Sequence, residues 1–302
     1  MFSSTRASTT TDTRVQHLET PRWQHWRDLW RRFRRHRAAM TGFLVLGTML
    51  GLVLTASVWT RHDPTRQQLS QVLQPMSAQH LLGTDHLGRD MGARLLYGGR
   101  LSLLIGGVAV GIGLVIGVPL GAISGFQGGL TDLLIQRLAD VLLSFPGFLL
   151  ALSLVSMLGV GLQNVIIAVG ISAIPSFIRL VRGSVLSLRE QVFVEAARAL
   201  GQRPGIILWR HVLPNAMAPI IVQATLNLGS SILVAAGLGF LGLGVQSPTA
   251  EWGTMLGEGR QYIFRAPLLT MFPGLAIFLA VLAFNLLGDG LRDALDPRLP
   301  QL

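Results

Sequence analysis

The chain has 302 residues, of which 50% are hydrophobic and only 13% are charged. Soluble proteins carry about 25% charged residues, so this composition is that of a membrane protein. Cysteine is absent, which excludes disulfides, thiolate catalysis and cysteine-ligated metal sites. All 25 residues counted as lysine plus arginine are arginine, so the chain lacks the lysine that a phosphate-binding P-loop requires. Any ATP hydrolysis that drives this protein is therefore expected on another chain.

The net charge of +10 is concentrated near the start of the chain. Nine arginines lie in residues 1–37, directly before the first apolar run. Such clusters on the cytoplasmic flank of a spanning helix set its orientation and bind anionic lipid headgroups. Residues 21–37 also have the spacing of an amphipathic helix on the membrane surface, with a partner-binding helix as the alternative. We expect membrane lipids, and no nucleic acid, as partners of this tail.

Six segments approach the length of about 20 apolar residues that a spanning helix needs. They cover residues 38–58, 101–125, 138–158, 164–181, 216–244 and 268–288. The predicted fold class is therefore all-α, a polytopic membrane protein with six transmembrane helices. With both termini cytoplasmic, 18 arginines lie in the inner segments and seven in the outer ones, which favours this orientation.

The predicted organisation has three parts. Residues 1–37 form the cytoplasmic tail, residues 38–100 hold the first span and an external segment, and residues 101–302 form a five-helix core. Within this core, residues 182–215 form a cytoplasmic loop between the fourth and fifth spans. Residues 248–265 have the spacing of an external helix that packs either on a partner protein or on the other spans.

Glycines in the second span recur at every fourth position, at Gly113, Gly117, Gly121 and Gly125. This step keeps them on one stripe of a helix, where the absence of side chains lets two backbones approach closely. The stripe predicts tight packing of the second span against another helix.

The loop between the fourth and fifth spans contains the sequence EAARALGQRPGIILWRHVLPN at residues 195–215. Strong helix formers over residues 192–200 predict a helix, and Gly201 is placed to turn the chain in the left-handed conformation. A second short helix is predicted to run to about Leu213 and to end at Pro214. The loop thus reads as a helix–turn–helix that extends from the membrane.

This loop resembles the EAA signature of importer-type ABC transporter permeases. The residues that carry the resemblance are Glu195, Ala196, Ala197, Gly201, Leu213 and Pro214. His211 departs from the pattern, because the family has a hydrophobic residue there. The resemblance implies a type I ABC importer permease fold and a loop that docks into a groove of a separate ATPase subunit and transmits its closure to the spans.

Three further stretches resemble the dipeptide, oligopeptide and nickel permeases of this family. They are HLLGTDHLGRDMGARLLYGGRLSL from His80, FLGLGVQSPTAEWGTMLGEGRQYI from Phe240 and FPGLAIFLAVLAFNLLGDGLRDALDPRL from Phe272. Ala93 stands where the family usually has serine. The resemblance implies the second permease of a heterodimer in the bacterial inner membrane, with two ATPase subunits and an extracytoplasmic binding protein as partners.

In this scheme ATP and Mg²⁺ bind the ATPase subunits, and this chain binds no cofactor and has no catalytic residue. The substrate implied is a dipeptide or oligopeptide, with nickel or a metal chelate as the alternative. Within the chain, His80, Asp85, His86 and Asp90 contain metal-ligating groups, but their spacing favours a structural role, and no metal site is predicted.

Polar residues in the fifth span recur on one helical face and are candidates for the transport pathway or the seam with the second permease. They are Gln223, Asn227, Ser230 and Ser231. Polar side chains in spans are often functional, although hydrogen bonds between helices are the plain alternative.

Two functions of other classes are disfavoured by the sequence. A secondary transporter or channel driven by protons should hold acidic residues within its spans, and only Asp140 comes near one. Arg137 lies three residues before Asp140, and this spacing predicts an ion pair between them at the inner end of the third span. A membrane-embedded hydrolase would need motifs such as H-E-x-x-H or G-x-S-x-G, which the chain lacks.

Overall fold

The computed structural model describes residues 31, 33–34 and 36–295, which fold almost entirely into α-helices. Most of the predicted surface helix at residues 21–37 lies outside the described residues. No β-strand occurs in the described part of the chain, where one isolated bridge pairs Thr84 with Asp90. The main helices are α1 (Arg37–Leu54), α2 (Met91–Gln127), α3 (Gly129–Leu143), α4 (Gly147–Leu158), α5 (Leu162–Leu188), α6 (Val192–Ala199), α7 (Met217–Phe240), α8 (Trp252–Gly259) and α9 (Leu268–Leu295).

Five helices of the described residues are long and apolar enough to cross a bilayer, namely α1, α2, α5, α7 and α9. Helices α3 and α4 are long and apolar enough to cross a bilayer only when they are taken together, and the angle between them is 86°. The predicted third span, residues 138–158, is therefore part of a bent helix pair rather than one straight helix, and we refer to α3 and α4 together as the broken span. Pro146, which has no backbone N–H, stands in an extended conformation directly before α4 and prevents the helix from continuing.

Helices α2 and α5 pack together along the predicted glycine stripe. A Cβ atom at Gly117 would lie 2.6 Å from the Cβ of Phe177 and 2.8 Å from the carbonyl oxygen of Ile174. At Gly121 it would lie 2.6 Å from the carbonyl oxygen of Ile178. The prediction of tight helix packing is confirmed, because only glycine lets the two backbones come this close.

The described beginning and end of the chain lie at the same end of the helix bundle. Phe33 packs with Ala294, and His36 Nε2 lies 3.1 Å from a carboxylate oxygen of Asp293. The segment between α5 and α7 packs at this end as well, against Ala122 near the end of α2. We call this the inner end, in keeping with the predicted cytoplasmic termini, and the opposite end the outer end.

Candidate functional site

The inner loop, residues 189–216, begins with α6 and a glycine turn. Gly201 has a φ of +72°, as predicted for a residue that ends a helix in the left-handed conformation. The amide of Gly201 donates to the carbonyl of Arg198 at 2.9 Å, and that of Gln202 donates to the carbonyl of Ala197 at 3.1 Å. These two bonds form a Schellman motif, which fixes the direction in which the chain leaves α6.

The second arm of the inner loop is helical from Pro204 to Asn215 and leads almost directly into α7. Its middle, Ile207–Val212, is a π-helix. The amide of the next residue, Leu213, donates to the carbonyl of Leu208, which is the bonding pattern of a π-helix. The prediction that Pro214 ends this helix is wrong. Pro214 instead lies in the turn that directly follows the π-helix, and helical structure continues to Asn215.

One face of the inner loop is buried against the rest of the chain. Val194, Ala197 and Val212 pack with Ala122 of α2 and Val185 of α5. The small side chain of Ala197 is therefore used for packing within this protein. The structure thus divides the alanines of α6 between two faces, since Ala196 is exposed.

The opposite face of the inner loop is exposed and largely apolar. Glu195 and Ala196 lie on it, and the side chains of Val192 and Leu200 are 78% and 80% exposed. Trp209 of the second arm is also exposed. An exposed apolar patch on a helix that is docked onto the rest of the chain is the geometry expected of a surface that binds another protein.

Two ion pairs tie α3, the inner arm of the broken span, to α5. Arg182 donates to both carboxylate oxygens of Asp132, at 2.6 and 2.7 Å, and Ser124 of α2 donates to the same carboxylate. Arg179 donates to Asp140 at 2.8 Å. Because α5 continues into the inner loop, these pairs connect the loop to the broken span. Sequence spacing had suggested Arg137 as the partner of Asp140, which is incorrect.

The four polar residues of the fifth span do not share one environment. Asn227 donates to Ser176 Oγ of α5 at 3.1 Å and lies 3.4 Å from Gln223 Nε2. Ser231 is buried, whereas Ser230 is exposed. One of these residues therefore makes an interhelical hydrogen bond, and Ser231 faces the interior of the chain.

A buried charge cluster joins the outer start of α2 to α8. Arg89 and Arg94 are fully buried, and each donates to Glu258 Oε2 at 2.8 Å. Arg89 also donates to Asp85 at 2.6 Å. Sequence reasoning missed this cluster, because Glu258 lies 169 residues from Arg89 and no local pattern links them. Beside it, burial lowers the pKa of His86, although the nearby Asp85 opposes this shift.

The external segment at residues 248–265 contains a helix over Trp252–Gly259 followed by a 3₁₀ turn at Arg260–Tyr262. Glu251 caps this helix by accepting from the amides of Gly253 and Thr254. Trp252 and Met255 are buried against residues of α7 and α9 such as Ile232 and Leu269. Of the two predicted alternatives for this helix, packing on the other spans is the one that the structure has.

Comparison with known proteins places this fold and this loop in one family. Residues 117–301 match the family described as binding-protein-dependent transport system inner membrane component. Residues 25–75 match the N-terminal transmembrane domain of oligopeptide transport permease C.

Two curated relatives cover nearly the whole chain. A dipeptide transport system permease protein of Alkalihalophilus pseudofirmus is 47% identical, over 91% of this chain and 90% of its own length. A glutathione transport system permease protein of Escherichia coli O157:H7 is 49% identical, over 91% of both chains.

Among solved structures, the inward-facing MetNI methionine ABC transporter resembles this chain with a TM-score of 0.54 and 23% identity. The match covers 65% of this chain and 93% of the other, which supports the expected fold of an ABC importer permease. From the family match and the two relatives it follows that the chain belongs to the binding-protein-dependent transport system inner membrane components.

Proposed function

We propose that this chain is a permease subunit of an ATP-driven importer of dipeptides and oligopeptides in the bacterial plasma membrane. A single structural observation carries this proposal, namely the exposed apolar face of the inner loop on a helix that is docked onto the spans. The dipeptide and glutathione transport proteins among its relatives support a peptide substrate over nickel.

The proposed importer needs three kinds of partner subunit besides this chain. Without lysine it has no P-loop, so the energy of ATP must come from separate ATPase subunits that bind the inner loop. A second, homologous permease completes the pathway, and an extracytoplasmic binding protein delivers the peptide at the outer end. ATP and Mg²⁺ bind the ATPase subunits in this arrangement.

Coupling then proceeds through parts that the structure describes. Closure of the ATPases moves α6, which is docked on the inner ends of α2 and α5 through Val194 and Ala197. Since Arg182 and Arg179 of α5 hold α3, the broken third span moves with the loop. The close glycine contact between α2 and α5 holds these two helices together.

Gly201→Val is expected to lower ATP-dependent peptide uptake about tenfold or more, while the subunits still assemble. The physical reason is the φ of +72°, which a β-branched residue cannot adopt without strain, although nothing lies within 4 Å of the position. Uptake of a labelled dipeptide into liposomes that contain the purified complex measures the effect.

The matched control is Gly201→Asn, because asparagine tolerates the left-handed conformation and should retain most of the uptake. Unlabelled dipeptide should compete with the label, and Ni²⁺ should not. Full uptake by the valine variant would refute the role of the inner loop, and a wild-type complex that takes up no dipeptide would refute the peptide substrate.

We also propose that Gln223, Asn227 and Ser230 lie on the pathway or on the seam with the second permease. Gln223→Ala and Asn227→Ala are expected to raise the KM for peptide about 2- to 10-fold. This range corresponds to the loss of one hydrogen bond to the peptide, which contributes about 0.5–1.5 kcal/mol. Ser231→Ala is the matched control, because Ser231 is buried, and its KM should not change. Equal KM values in all the variants would place these residues outside the pathway and assign Asn227 to helix packing with Ser176.

A further inference from the structure

The outer end of the bundle holds a cavity of about 190 Å³ beside the start of α2. Its walls include His62, His80 and Asp90, each of which offers one metal-ligating atom within 4.8 Å of the others. His62 belongs to the segment that follows α1, and Asp90 caps α2. At a rise of about 1.5 Å per residue, the 37 residues of α2 separate this cavity from the inner loop by roughly 55 Å.

The environment of His80 is that of a metal ligand. This side chain is buried, with Nδ1 2.8 Å from Asp90 Oδ2 and Nε2 3.1 Å from Gln71 Oε1. Metal-binding histidines commonly have this arrangement, with one ring nitrogen on the ion and the other donating to an oxygen atom. With an ion on Nδ1, the Nε2–H would donate to Gln71, which is the outer hydrogen bond that orients metal-bound histidines.

The carboxylate of Asp90 is also held in place. Its Oδ1 accepts from the amide of Ala93 at 2.7 Å, and this bond leaves Oδ2 directed at His80. Zinc ligands lie about 2.0–2.2 Å from the ion, so Oδ2 and Nδ1 would separate by roughly 0.5 Å to admit it. Asp90 can make this small movement while its other oxygen, Oδ1, still accepts the capping hydrogen bond from Ala93.

The third residue, His62, is exposed and can turn towards the ion. Its ring centroid lies 4.7 Å from that of His80, and its Nε2 lies 3.0 Å from the carbonyl oxygen of Gln79. If Nε2 keeps its contact with Gln79, Nδ1 is the nitrogen that coordinates the ion. In the sequence His62 lies far from His80 and Asp90, and the fold brings the three side chains together.

We propose that His62, His80 and Asp90 bind a divalent transition-metal ion of the zinc class, with water from the cavity completing its coordination. Two imidazoles and one carboxylate suit zinc, whereas magnesium and calcium prefer all-oxygen sites. Binding releases the Nδ1 proton of His80 to water. The bound ion joins the segment after α1 to the N-terminus of α2 and so stabilises the outer end.

The second group of metal-ligating residues at this end, Asp85, His86 and Glu258, does not share these properties. Both of its carboxylates are already paired with the buried Arg89 and Arg94. Arg61 and Arg66 also line the cavity that holds His62, His80 and Asp90, but both are exposed. Within the described chain, no arginine lies within 4 Å of the Asp90 carboxylate. The charge of Arg61 and Arg66 lowers the affinity for a cation without occupying the ligands.

The test is zinc titration of the full chain, purified with the subunits that accompany it and carrying a tag without histidine. After chelator treatment and its removal, calorimetry with ZnCl₂ is compared between the wild type, His62→Ala and Asp90→Asn. His62 is exposed, and asparagine still caps a helix, so both variants should fold. We expect each variant to weaken binding about 10- to 100-fold.

His86→Ala is the matched control, because His86 belongs to the second group, whose carboxylates are already paired with arginine. Zinc binding by this variant should equal that of the wild type. Zinc should also raise the unfolding temperature of the wild type but not of His62→Ala, and MgCl₂ should have no effect on either. Zinc binding that is the same in the wild type, His62→Ala and Asp90→Asn would overturn the proposal. This result would leave the proposed import function untouched, because the metal site does not depend on it.

Discussion

Asp132→Asn is expected to uncouple transport, lowering the amount of peptide imported per ATP hydrolysed about tenfold. The substitution removes one charge of a bidentate pair whose bonds to Arg182 measure 2.6 and 2.7 Å. Hydrogen bonds to charged groups contribute about 1.5–3 kcal/mol, and this pair is one of two that join α3 to the helix leading into the inner loop. Without it, movement of the loop no longer carries the broken span with it.

The measurement is parallel assay of ATP hydrolysis and peptide uptake in liposomes that contain the intact complex. Hydrolysis should persist, since the ATPase and the exposed face of the loop are unchanged. Glu190→Gln is the matched control, because Glu190 is exposed and lies 4.0 Å from Arg189 at the same end of α5. The double exchange of Asp132→Arg with Arg182→Asp should restore part of the uptake. Equal loss of hydrolysis and uptake in Asp132→Asn would assign the pair to stability rather than to coupling.

Gly117→Ala is expected to destabilise the permease by about 1–3 kcal/mol, the usual cost of inserting a methyl group into a packed contact. The new Cβ would lie 2.8 Å from a backbone oxygen of α5, and a backbone oxygen cannot move aside as a flexible side chain can. Helices α2 and α5 would then have to separate, and the inner loop that is docked on both would lose its support.

Gly111→Ala in the same helix is the control, since nothing lies within 4 Å of a Cβ at that position. Alanine has the higher helix propensity, so this variant should be as stable as the wild type or slightly more stable. Thermal unfolding of the purified complex in detergent compares the two. Equal unfolding temperatures for Gly117→Ala and Gly111→Ala would show that the close approach of α2 and α5 is not required.

Features that depend on local sequence were predictable in this protein. The spans follow from runs of apolar residues, and the left-handed turn at Gly201 follows from a glycine that ends a short helix. The glycine stripe of α2 predicted close packing, although it did not identify α5 as the partner. The resemblance of the inner loop to the EAA signature identified the family that the comparisons then showed.

Features that depend on contacts between distant residues were not predictable. The sequence offered Arg137 as a neighbour for Asp140, but the fold brings Arg179 of α5 within 2.8 Å. The break in the third span was missed because hydropathy counts apolar residues and is insensitive to the 86° bend near Pro146. His62 and His80 meet only because the segment between α1 and α2 folds back on itself.

Cross-linking shows whether the exposed face of the inner loop binds a separate ATPase subunit. The natural chain has no cysteine, so Ala196→Cys introduces a single thiol on that face. Met157→Cys introduces one at the outer end, where the native side chain is 84% exposed. A thiol-reactive cross-linker is applied to membranes that import peptide, and the adducts are identified by mass spectrometry. We expect an adduct between position 196 and a protein with a P-loop, and none from position 157. If position 196 forms no adduct with a P-loop protein in membranes that import peptide, the exposed face of the inner loop is not the ATPase-binding surface.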